Sequence, residues 1–196
     1  MSKRKERNTK GKIVSAAWRL FYEQGYEETT VEEIIEESGT SRGSFYHYFT
    51  GKDALLGTLS YLFDEKYGQL VLPPDMDRFD MLMYINGELF GMIERTVPLE
   101  LLARMYATQL ITKGEKHLLD RKRTYYRLLR RICAEGQERG EITRDVSVEE
   151  LAKVYALCER ALMYDWCICN GEYSLKGYAA EMMPVLMSRY RSKNTE

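Results

Sequence analysis

The segment from Thr30 to Lys52 (TVEEIIEESGTSRGSFYHYFTGK) combines two helix-start signals with a helix-stop signal between them. Thr30 and Glu33 have capping-box spacing, in which the threonine hydroxyl accepts from the Glu33 amide and the carboxylate accepts from the Thr30 amide. Gly39 can end this helix because glycine tolerates the left-handed conformation. Ser41 can cap a second helix from Arg42 to about Phe49. Two short helices joined by a glycine-containing turn predict a helix-turn-helix.

Each of the two short helices is predicted to bury one face. On the first helix, the apolar face consists of Val31, Ile34 and Ile35. On the second helix, a rotation of about one hundred degrees per residue gathers the apolar side chains on one arc. These side chains are Phe45, Tyr48 and Phe49. With the stripe of the preceding helix, they predict a three-helix core.

The opposite face of the second helix presents groups that suit phosphates and base edges. It offers a guanidinium, a hydroxyl, a phenol, an imidazole and one missing side chain, which belong to Arg42, Ser44, Tyr46, His47 and Gly43. The helix N-terminus at Ser41 adds its own affinity for phosphate. Thr30 and Lys52, at the starts of the flanking helices, are predicted to bind further phosphates. The pattern favours DNA binding over a helical hairpin that only packs.

The segment TTVEEIIEESGTSRGSFYHYFTGKDALL resembles the DNA-binding signature of the TetR family of transcriptional repressors, and the resemblance covers residues 9–58. It implies a homodimer that binds a palindromic operator in double-stranded DNA and is released by a small-molecule effector. Outside this segment, the resemblance is one of helix pattern and length. A dimeric helical interaction module without DNA binding is the alternative function.

Charge is segregated along the chain although the net charge is only −1. Residues 1–12 carry six basic side chains and one glutamate, whereas residues 23–37 carry seven glutamates and no Lys or Arg. Residues 1–9 are predicted to form a basic arm, and each arm cation that meets a phosphate would add about 0.9 to the salt slope of binding. With so little net charge, specific binding depends on local geometry.

The sequence predicts no membrane segment, cofactor or catalytic site. No apolar run approaches the roughly 18 residues of a membrane span, and the basic start lacks the apolar part of a signal peptide, so we expect a cytoplasmic protein. No phosphate loop, GxSxG or HExxH motif is present, which leaves an enzyme with an unrecognised site as a minor alternative. The cysteines are expected to be reduced and mostly buried rather than metal-bound; they are Cys133, Cys158, Cys167 and Cys169.

We expect an all-α fold with two domains. The first, residues 1–53, is the three-helix helix-turn-helix domain, whose first helix is predicted over Lys10–Gln24. The second, residues 54–196, is predicted to bind the effector and to dimerise. The later helices are predicted at Lys52–Leu70, Met76–Glu94, Pro98–Ile111, Lys116–Glu138, Ser147–Asn170 and Ser174–Arg191.

The helix that begins after Ser147 is apolar nearly all round, which requires cover on both sides. One stripe is Leu151, Tyr155, Cys158, Leu162, Trp166 and Cys169, and the other is Val154, Leu157, Ala161, Tyr164 and Ile168. The resemblance implies a homodimer through the helices at 147–170 and 174–191. Pro184 lies inside the last helix, where it removes a hydrogen bond to Ala180 at a cost of about 3 kcal/mol unless the helix bends. A kinked final helix is expected.

An effector pocket is implied by the resemblance, and the aromatic and Met side chains of the second domain can line a cavity. The candidates are Tyr84, Met105, Tyr106, Tyr125, Tyr155 and Trp166. Glu159 and Asp165 lie on the largely apolar helix, where an exposed or interface-paired carboxylate is favoured over one that faces a cationic ligand. The basic run from Arg121 to Arg131 is interpreted as a solvated helix face.

Overall fold

The structure, a computed structural model, describes residues 3–111 and 116–192 of the chain. The α-helices within these ranges are α1 (Lys3–Glu23), α2 (Val31–Ser38), α3 (Arg42–Tyr48), α4 (Lys52–Leu56), α5 (Leu59–Gln69), α6 (Arg78–Thr96), α7 (Leu99–Ile111), α8 (Thr124–Arg139), α9 (Val148–Ile168) and α10 (Leu175–Met187). Short 3-10 helices cover His117–Leu119 and Ser188–Tyr190. The predicted all-α fold, with a helix-turn-helix followed by a helical domain, is confirmed.

The chain divides into two units, and each contains a core of its own. The first unit comprises Met1–Ser60 and Arg104–Leu118, and the second comprises Tyr61–Ala103 and Leu119–Glu196. The division falls within α5 and α7, so each of these helices contributes residues to both units. A functional boundary between residues 53 and 54 stays a prediction.

In the first unit, α1, α2 and α3 pack against one another. Their core side chains are exposed by 2% or less and come from all three helices; they are Ile13, Ala17, Phe21, Ile34 and Phe45. Val31 and Ile35 are only half-buried, so Ile34 carries most of the contact that α2 makes with the core. The predicted three-helix core is present, and α2 is rotated so that one isoleucine points inward.

The first helix begins at Lys3 rather than at the predicted Lys10. Lys3–Thr9 of the predicted basic arm is therefore helical, and residues 1–2 of the arm lie outside the described residues. Lys, Arg and Glu are good helix formers, and no proline stands in this stretch. These propensities favour a helix that extends past the apolar stripe.

The single helix predicted over Lys52–Leu70 is two helices, because a turn at Gly57 and Thr58 separates α4 from α5. The Thr58 amide donates to the Leu55 carbonyl at 2.9 Å, and the Ser60 amide donates to the Gly57 carbonyl at 3.3 Å. The two hydroxyls donate to the same carbonyls, at 2.5 and 2.8 Å respectively. Hydroxyls that bond to nearby carbonyls compete with the helical ladder and favour tight turns.

The long helix predicted from Lys116 begins only at Thr124, as α8. Asp64 of α5 accounts for this start, since its carboxylate accepts from Arg123 Nε at 3.0 Å and from the Tyr125 amide at 3.1 Å. It therefore supplies the first turn of α8 with an acceptor that the local sequence lacks. This start could not be predicted from the residues around it.

The second unit is built from α6, α8, α9 and α10. Helix α6 packs on α8 and α10, and α9 packs on the same two helices. Tyr155, Phe90, Leu129 and Ala179 are fully buried members of this core. Within the described ranges, no helix is long and apolar enough to cross a membrane.

Helices α9 and α10 begin at the predicted serines. Ser147 accepts from the Glu150 amide at 3.2 Å, and Ser174 accepts from the Gly177 amide at 3.1 Å. Helix α10 contains Pro184 and continues to Met187, where a 3-10 turn replaces the remainder of the predicted helix. One predicted stripe of α9 is buried or half-buried, and four of the five residues of the other are exposed.

Candidate functional site

Helix α2 is fixed at both ends by the predicted signals. The Thr30 amide donates to Glu33 Oε2 at 2.7 Å, and the Glu33 amide donates to Thr30 Oγ1 at 3.2 Å. The bond from the Thr30 amide, and after it a bond in which Thr30 Oγ1 donates to Glu33 Oε2 at 2.8 Å, lower the pKa of the Glu33 carboxyl. Gly39 ends the helix at φ 60°, in the left-handed region. The orientation of the turn into α3 therefore follows from local hydrogen bonds.

Helix α3 is anchored by aromatic side chains and capped by Ser41. Ser41 Oγ accepts from the Ser44 amide at 3.1 Å. Phe45 is fully buried, Phe49 is 5% exposed, and Tyr48 is half-buried. The predicted apolar arc is confirmed, and it holds the opposite arc at the surface.

The outward face of α3 carries the predicted polar groups. Tyr46 is 46% exposed, and His47, Gly43 and Arg42 are exposed beside it. A Cβ on Gly43 would meet only Ser41 Oγ, at 4.0 Å, so the backbone here is open to close approach. The arrangement presents donors, an aromatic ring and a helix N-terminus on one surface.

Arg42 is held in place by two neighbours. Its Nη1 lies 3.1 Å from Glu32 Oε1 of α2, and its guanidinium lies over the Tyr46 ring at 5.7 Å from the centroid. Both members of the ion pair are more than 60% exposed, so water screens it. A phosphate or a guanine edge can replace the Glu32 carboxylate with little loss of stability.

Lys52 has structural partners that the sequence did not reveal. Its Nζ donates to the carbonyl oxygens of Tyr26, Glu27 and Thr29 at 2.6, 3.2 and 2.8 Å. It also lies 4.3 Å from the centroid of the Tyr26 ring. These contacts tie the loop after α1 to the start of α4. The predicted phosphate contact of Lys52 stays a prediction.

Two of the predicted effector residues meet in a buried polar cluster of the second unit. We call Tyr67, Asn86, Tyr125, Tyr155 and Glu159 the Glu159 cluster. Tyr125 OH donates to Glu159 Oε2 at 2.6 Å, and Asn86 Nδ2 donates to Glu159 Oε1 at 2.9 Å. Tyr155 OH donates to the Leu82 carbonyl at 2.7 Å.

Glu159 is 2% exposed and is paired with Asn86 and Tyr125 of its own unit, so the expectation of an exposed or interface-paired carboxylate is wrong at this position. Burial raises the pKa of its carboxyl, and the bonds from Asn86 and Tyr125 oppose that rise. Tyr67 OH is also buried, and it has no hydrogen-bond partner in the part of the chain that the structure describes. A buried carboxylate beside an unsatisfied phenol is unusual in a core. An acidic residue within an apolar helix was the sequence signal that pointed here.

The remaining candidates are not gathered around Glu159. Trp166 Nε1 donates to the Tyr173 carbonyl at 2.8 Å near the end of α9, and Tyr84 is half-buried on α6. Met105 and Tyr106 are buried on the part of α7 that belongs to the first unit. Asp165 is exposed and accepts from the Tyr173 hydroxyl at 2.8 Å. The six predicted residues do not form one site within either unit.

Among the described residues, the cysteines and acidic side chains do not form a metal site. Cys133 is buried, the other three cysteines are half-buried, and burial raises the pKa of the Cys133 thiol to about 12. Among residues 3–111 and 116–192, no group of three or more His, Cys, Asp or Glu side chains is placed to hold a metal ion. The polar surface of α3 and the Glu159 cluster therefore carry the geometry on which the comparison with known proteins bears.

Comparison with known proteins places the strongest similarity in the helix-turn-helix. Residues 13–59 match the family model described as bacterial regulatory proteins, tetR family. A helix-turn-helix transcriptional regulator from the lacX 3′ region of Lactococcus lactis subsp. lactis is 46% identical over 46 residues, 24% of this chain and 24% of that protein. The match thus spans about a quarter of that relative.

Other relatives match over nearly the whole chain at lower identity. The transcriptional regulator AcrR of Shigella flexneri is 25% identical over 96% of this chain and 92% of its own. The fatty acid metabolism regulator protein of Bacillus subtilis (strain 168) is 22% identical over 92% of this chain and 95% of its own. Both similarities extend beyond the helix-turn-helix into the second unit.

Solved structures show the same fold at low sequence identity. FadR of Thermus thermophilus, a TetR-family repressor in complex with lauroyl-CoA, has a TM-score of 0.72 at 22% identity, covering 95% of this chain and 98% of that chain. FadR of Bacillus subtilis in complex with stearoyl-CoA has a TM-score of 0.56 at 21% identity, covering 90% and 97%.

Proposed function

Because this chain belongs to the TetR family of transcriptional regulators, we propose that it is a homodimeric repressor that a small-molecule effector releases from a palindromic operator. Members of this family are regulators and not enzymes. The observation that carries the proposal is the polar face of α3, held at the surface by the buried rings of Phe45 and Phe49. The alternative function, a dimeric helical interaction module without DNA binding, does not account for this exposed polar face.

In the proposed complex, α3 enters the major groove. Arg42 leaves Glu32 for a base edge or a phosphate, to which its planar fork can donate twice. Ser44, Tyr46 and His47 contact base edges and groove walls, and the exposed backbone at Gly43 approaches the strand. The capped N-terminus at Ser41 favours a phosphate. Thr30 and Lys52 are proposed to reach phosphates at the groove walls.

The exposed apolar face of α9 and α10 supports the proposed homodimer. Leu157, Ile168 and Val185 are 56%, 59% and 63% exposed, and Tyr164 and Tyr178 add two exposed rings. Apolar side chains concentrated on two adjacent helices are typical of an interface. Two-fold symmetry through this face also presents two recognition helices to two half-sites. Leu157→Glu should yield monomers in sedimentation velocity, whereas Val71→Glu, at an exposed residue outside both helices, should leave a dimer.

The Glu159 cluster supports the proposed effector response. An effector that bonds to Tyr67 OH or displaces a partner of Glu159 would change the packing among α5, α6, α8 and α9, the helices that carry the cluster. The released state spaces the two recognition helices beyond the one-turn separation, about 34 Å, of consecutive major grooves. The factor by which the effector lowers operator affinity cannot exceed the ratio of the effector's affinities for the released and the DNA-bound conformations. Independent binding of effector and operator would contradict this coupling.

Acyl-CoA is the first effector class to test. Two of the similar structures are FadR proteins in complex with lauroyl-CoA and stearoyl-CoA, and the similar Bacillus subtilis protein is named a fatty acid metabolism regulator. We expect an acyl-CoA to release operator DNA from this protein in an electrophoretic or anisotropy assay, while the free fatty acid serves as control. If no acyl-CoA changes operator binding, acyl-CoA is excluded as the effector class. The proposal that the protein binds DNA would not be affected.

Selection of bound duplexes from a random pool tests DNA binding directly. The natural protein should enrich a palindrome, and Tyr46→Ala should not, because the phenol is 46% exposed on the outward face of α3. Tyr22→Ala, at an exposed tyrosine of α1 outside the proposed groove contact, should enrich the same palindrome. Absence of enrichment at low salt, also after unfolding and refolding to strip a bound ligand, would contradict the proposal. Lowered transcription from a promoter that carries the selected site would identify repression.

A further inference from the structure

A concave pocket of about 320 Å³ lies in the second unit between α8, α9 and the segment that precedes α8. Four cationic side chains line it together with one buried tyrosine and one carboxylate; these are Arg121, Arg130, Lys153, Arg160, Tyr126 and Glu149. We call it the α8–α9 basic pocket. The sequence placed Arg121 and Arg130 on a solvated helix face, but the fold of the second unit brings them to Lys153 and Arg160 of α9.

Two guanidinium groups of this pocket, those of Arg130 and Arg160, donate to neutral oxygens. Arg160 Nη1 donates to Tyr126 OH at 3.2 Å, and Arg130 Nη2 donates to the Arg121 carbonyl at 3.1 Å. Among the side chains of residues 9–111 and 116–192, no carboxylate oxygen lies within 4.0 Å of a guanidinium nitrogen of Arg121, Arg130 or Arg160. The pocket is therefore poorly neutralised by the protein itself.

Two arginines near the pocket have carboxylate partners, whereas Arg127 of α8 donates to the Lys122 carbonyl and the Thr124 hydroxyl. Arg131, one position after Arg130, lies 3.9 Å from Glu135, and Arg123 is bonded to Asp64. Among the described residues, Lys153 is the pocket cation with a carboxylate within 4.0 Å, that of Glu150 at 3.8 Å, while Glu149 lines the pocket and Arg160 lies near enough to lower the pKa of the buried Glu159 carboxyl. Arg130 and Arg131 are adjacent on α8 but differ in their surroundings. Arg131 is paired with the carboxylate of Glu135, whereas Arg130 lines the basic pocket.

Converging like charges repel one another, and the repulsion grows where protein walls exclude water. An anion inside the pocket would remove this cost and would gain charge-assisted hydrogen bonds from several guanidinium forks. Arginine forks match the oxygens of a phosphate group in particular. The volume is at the lower end of the range of about 300–1,000 Å³ that is typical of small-molecule sites.

We propose that the α8–α9 basic pocket binds a small molecule that carries two or more phosphate groups, through Arg121, Arg130, Lys153 and Arg160. A single phosphate group carries at most two negative charges, whereas two phosphate groups together can neutralise the four cations, which come from α8, α9 and the segment before α8. The proposal goes beyond DNA binding and does not depend on it, since no residue of α3 takes part.

Two sources can supply this chemistry. One is a free di- or triphosphate, such as a nucleotide, and the other is the phosphate-bearing part of a coenzyme A thioester. Titration calorimetry of the full chain in a phosphate-free, low-salt buffer separates them, with pyrophosphate, ADP, coenzyme A and an acyl-CoA as probes. Tighter binding of coenzyme A than of pyrophosphate and ADP identifies the thioester as the source, and the reverse order identifies the free polyphosphate.

The variants follow from the geometry. Arg130→Gln with Arg160→Gln should weaken binding of every phosphate probe by at least about tenfold, because each change removes a charge-assisted partner. Arg131→Gln is the matched control, and its affinity should equal that of the natural protein. Unchanged urea midpoints would show that all three proteins are folded.

Three outcomes would overturn the proposal. The first is equal affinity of the natural protein and the double variant for all four probes. The second is sulfate binding as strong as pyrophosphate binding, which would indicate a non-selective positive surface. The third is that only duplex DNA binds with dependence on Arg130 and Arg160. Each of these results is distinguishable from failure of the DNA-binding proposal, which is tested through Tyr46.

Discussion

The outer face of α3 and the Glu159 cluster are two polar regions built in opposite ways. On α3, the apolar rings of Phe45 and Phe49 are buried, and the polar side chains Arg42, Tyr46 and His47 point outward. In the Glu159 cluster, the polar atoms are inside and helices surround them, so that Glu159 is 2% exposed. The polar groups of the first region are open to a ligand, whereas Glu159 in the second region has Asn86 and Tyr125 as partners within the fold.

This difference has an energetic consequence. A surface polar group keeps its water, so its loss alters binding more than stability. A buried polar group has exchanged water for protein partners, and removing one of them leaves an unsatisfied atom. Substitutions on the outer face of α3 should therefore separate binding from stability, whereas substitutions in the Glu159 cluster should change stability as well.

The largest effect is expected from Phe45→Ala. This ring is fully buried among α1, α2 and α3, and its removal should lower the free energy of unfolding by about 3–5 kcal/mol. Tyr46→Ala, at the adjacent exposed ring, should change the unfolding free energy by less than about 0.5 kcal/mol. Urea unfolding of both variants checks the pair. Equal losses of unfolding free energy in the two variants would contradict the view that Phe45 anchors α3 in the core while Tyr46 lies on its contact surface.

Tyr125→Phe should have the next largest effect. It removes the 2.6 Å hydrogen bond to the Glu159 carboxylate, at a cost of about 1.5–3 kcal/mol in unfolding free energy. Tyr67→Phe removes a buried hydroxyl without a hydrogen-bond partner among the described residues, so it should be neutral or stabilising. Chemical denaturation at neutral pH compares the two. A destabilising Tyr67→Phe would show that this hydroxyl has a partner in solution.

Glu159 should also give the protein a recognisable pH dependence. Burial raises the pKa of this carboxyl above its ordinary value of 4.5, so the folded state holds the proton at pH values where the unfolded state has lost it. Stability is then greatest, as far as this group is concerned, below pH 4.5 and falls as pH rises through the folded pKa. Glu159→Gln should flatten this part of the profile of unfolding free energy against pH. Parallel profiles for the two proteins would mean that Glu159 has an unshifted pKa.

Thr30→Ala should have a smaller effect that is confined to the start of α2. It removes the acceptor for the Glu33 amide, at a cost of about 1 kcal/mol. Glu36→Ala on the same helix, outside the capping box, is the matched control. Thermal unfolding of the two variants measures the difference, and an equal shift in both would exclude a specific role for the cap.

Arg42→Ala should have a small effect on stability and a larger effect on DNA binding. Its ion pair with Glu32 is exposed, so the unfolding free energy should change by less than about 1 kcal/mol. The slope of log affinity for the selected operator against log salt should nevertheless fall by about 0.9 if Arg42 binds a phosphate. Glu32→Ala should raise operator affinity, because the competing carboxylate is gone. An unchanged salt slope would assign Arg42 to a base edge or to no DNA contact.

Prediction from sequence was most accurate where signals act over a few residues. The Thr30–Glu33 box, the Gly39 stop and the Ser41 cap are local hydrogen bonds or local dihedral preferences, and the structure contains all three. It was less accurate where a helix end depends on a distant residue. The start of α8 is displaced because Asp64 of α5 accepts from Tyr125, a contact across 61 positions.

By itself the sequence determined an all-α protein with a helix-turn-helix, because periodicity, caps and stop signals are properties of neighbouring residues. Only the tertiary structure decided that Glu159 is buried with Asn86, that Lys52 bonds to three loop carbonyls, and that Arg130 and Arg160 share a cavity. Asn86 and Glu159 are 73 positions apart, so no pattern of neighbouring residues predicts the hydrogen bond between them. The burial and the partners of a charged side chain follow from how helices pack, which depends on the whole chain at once.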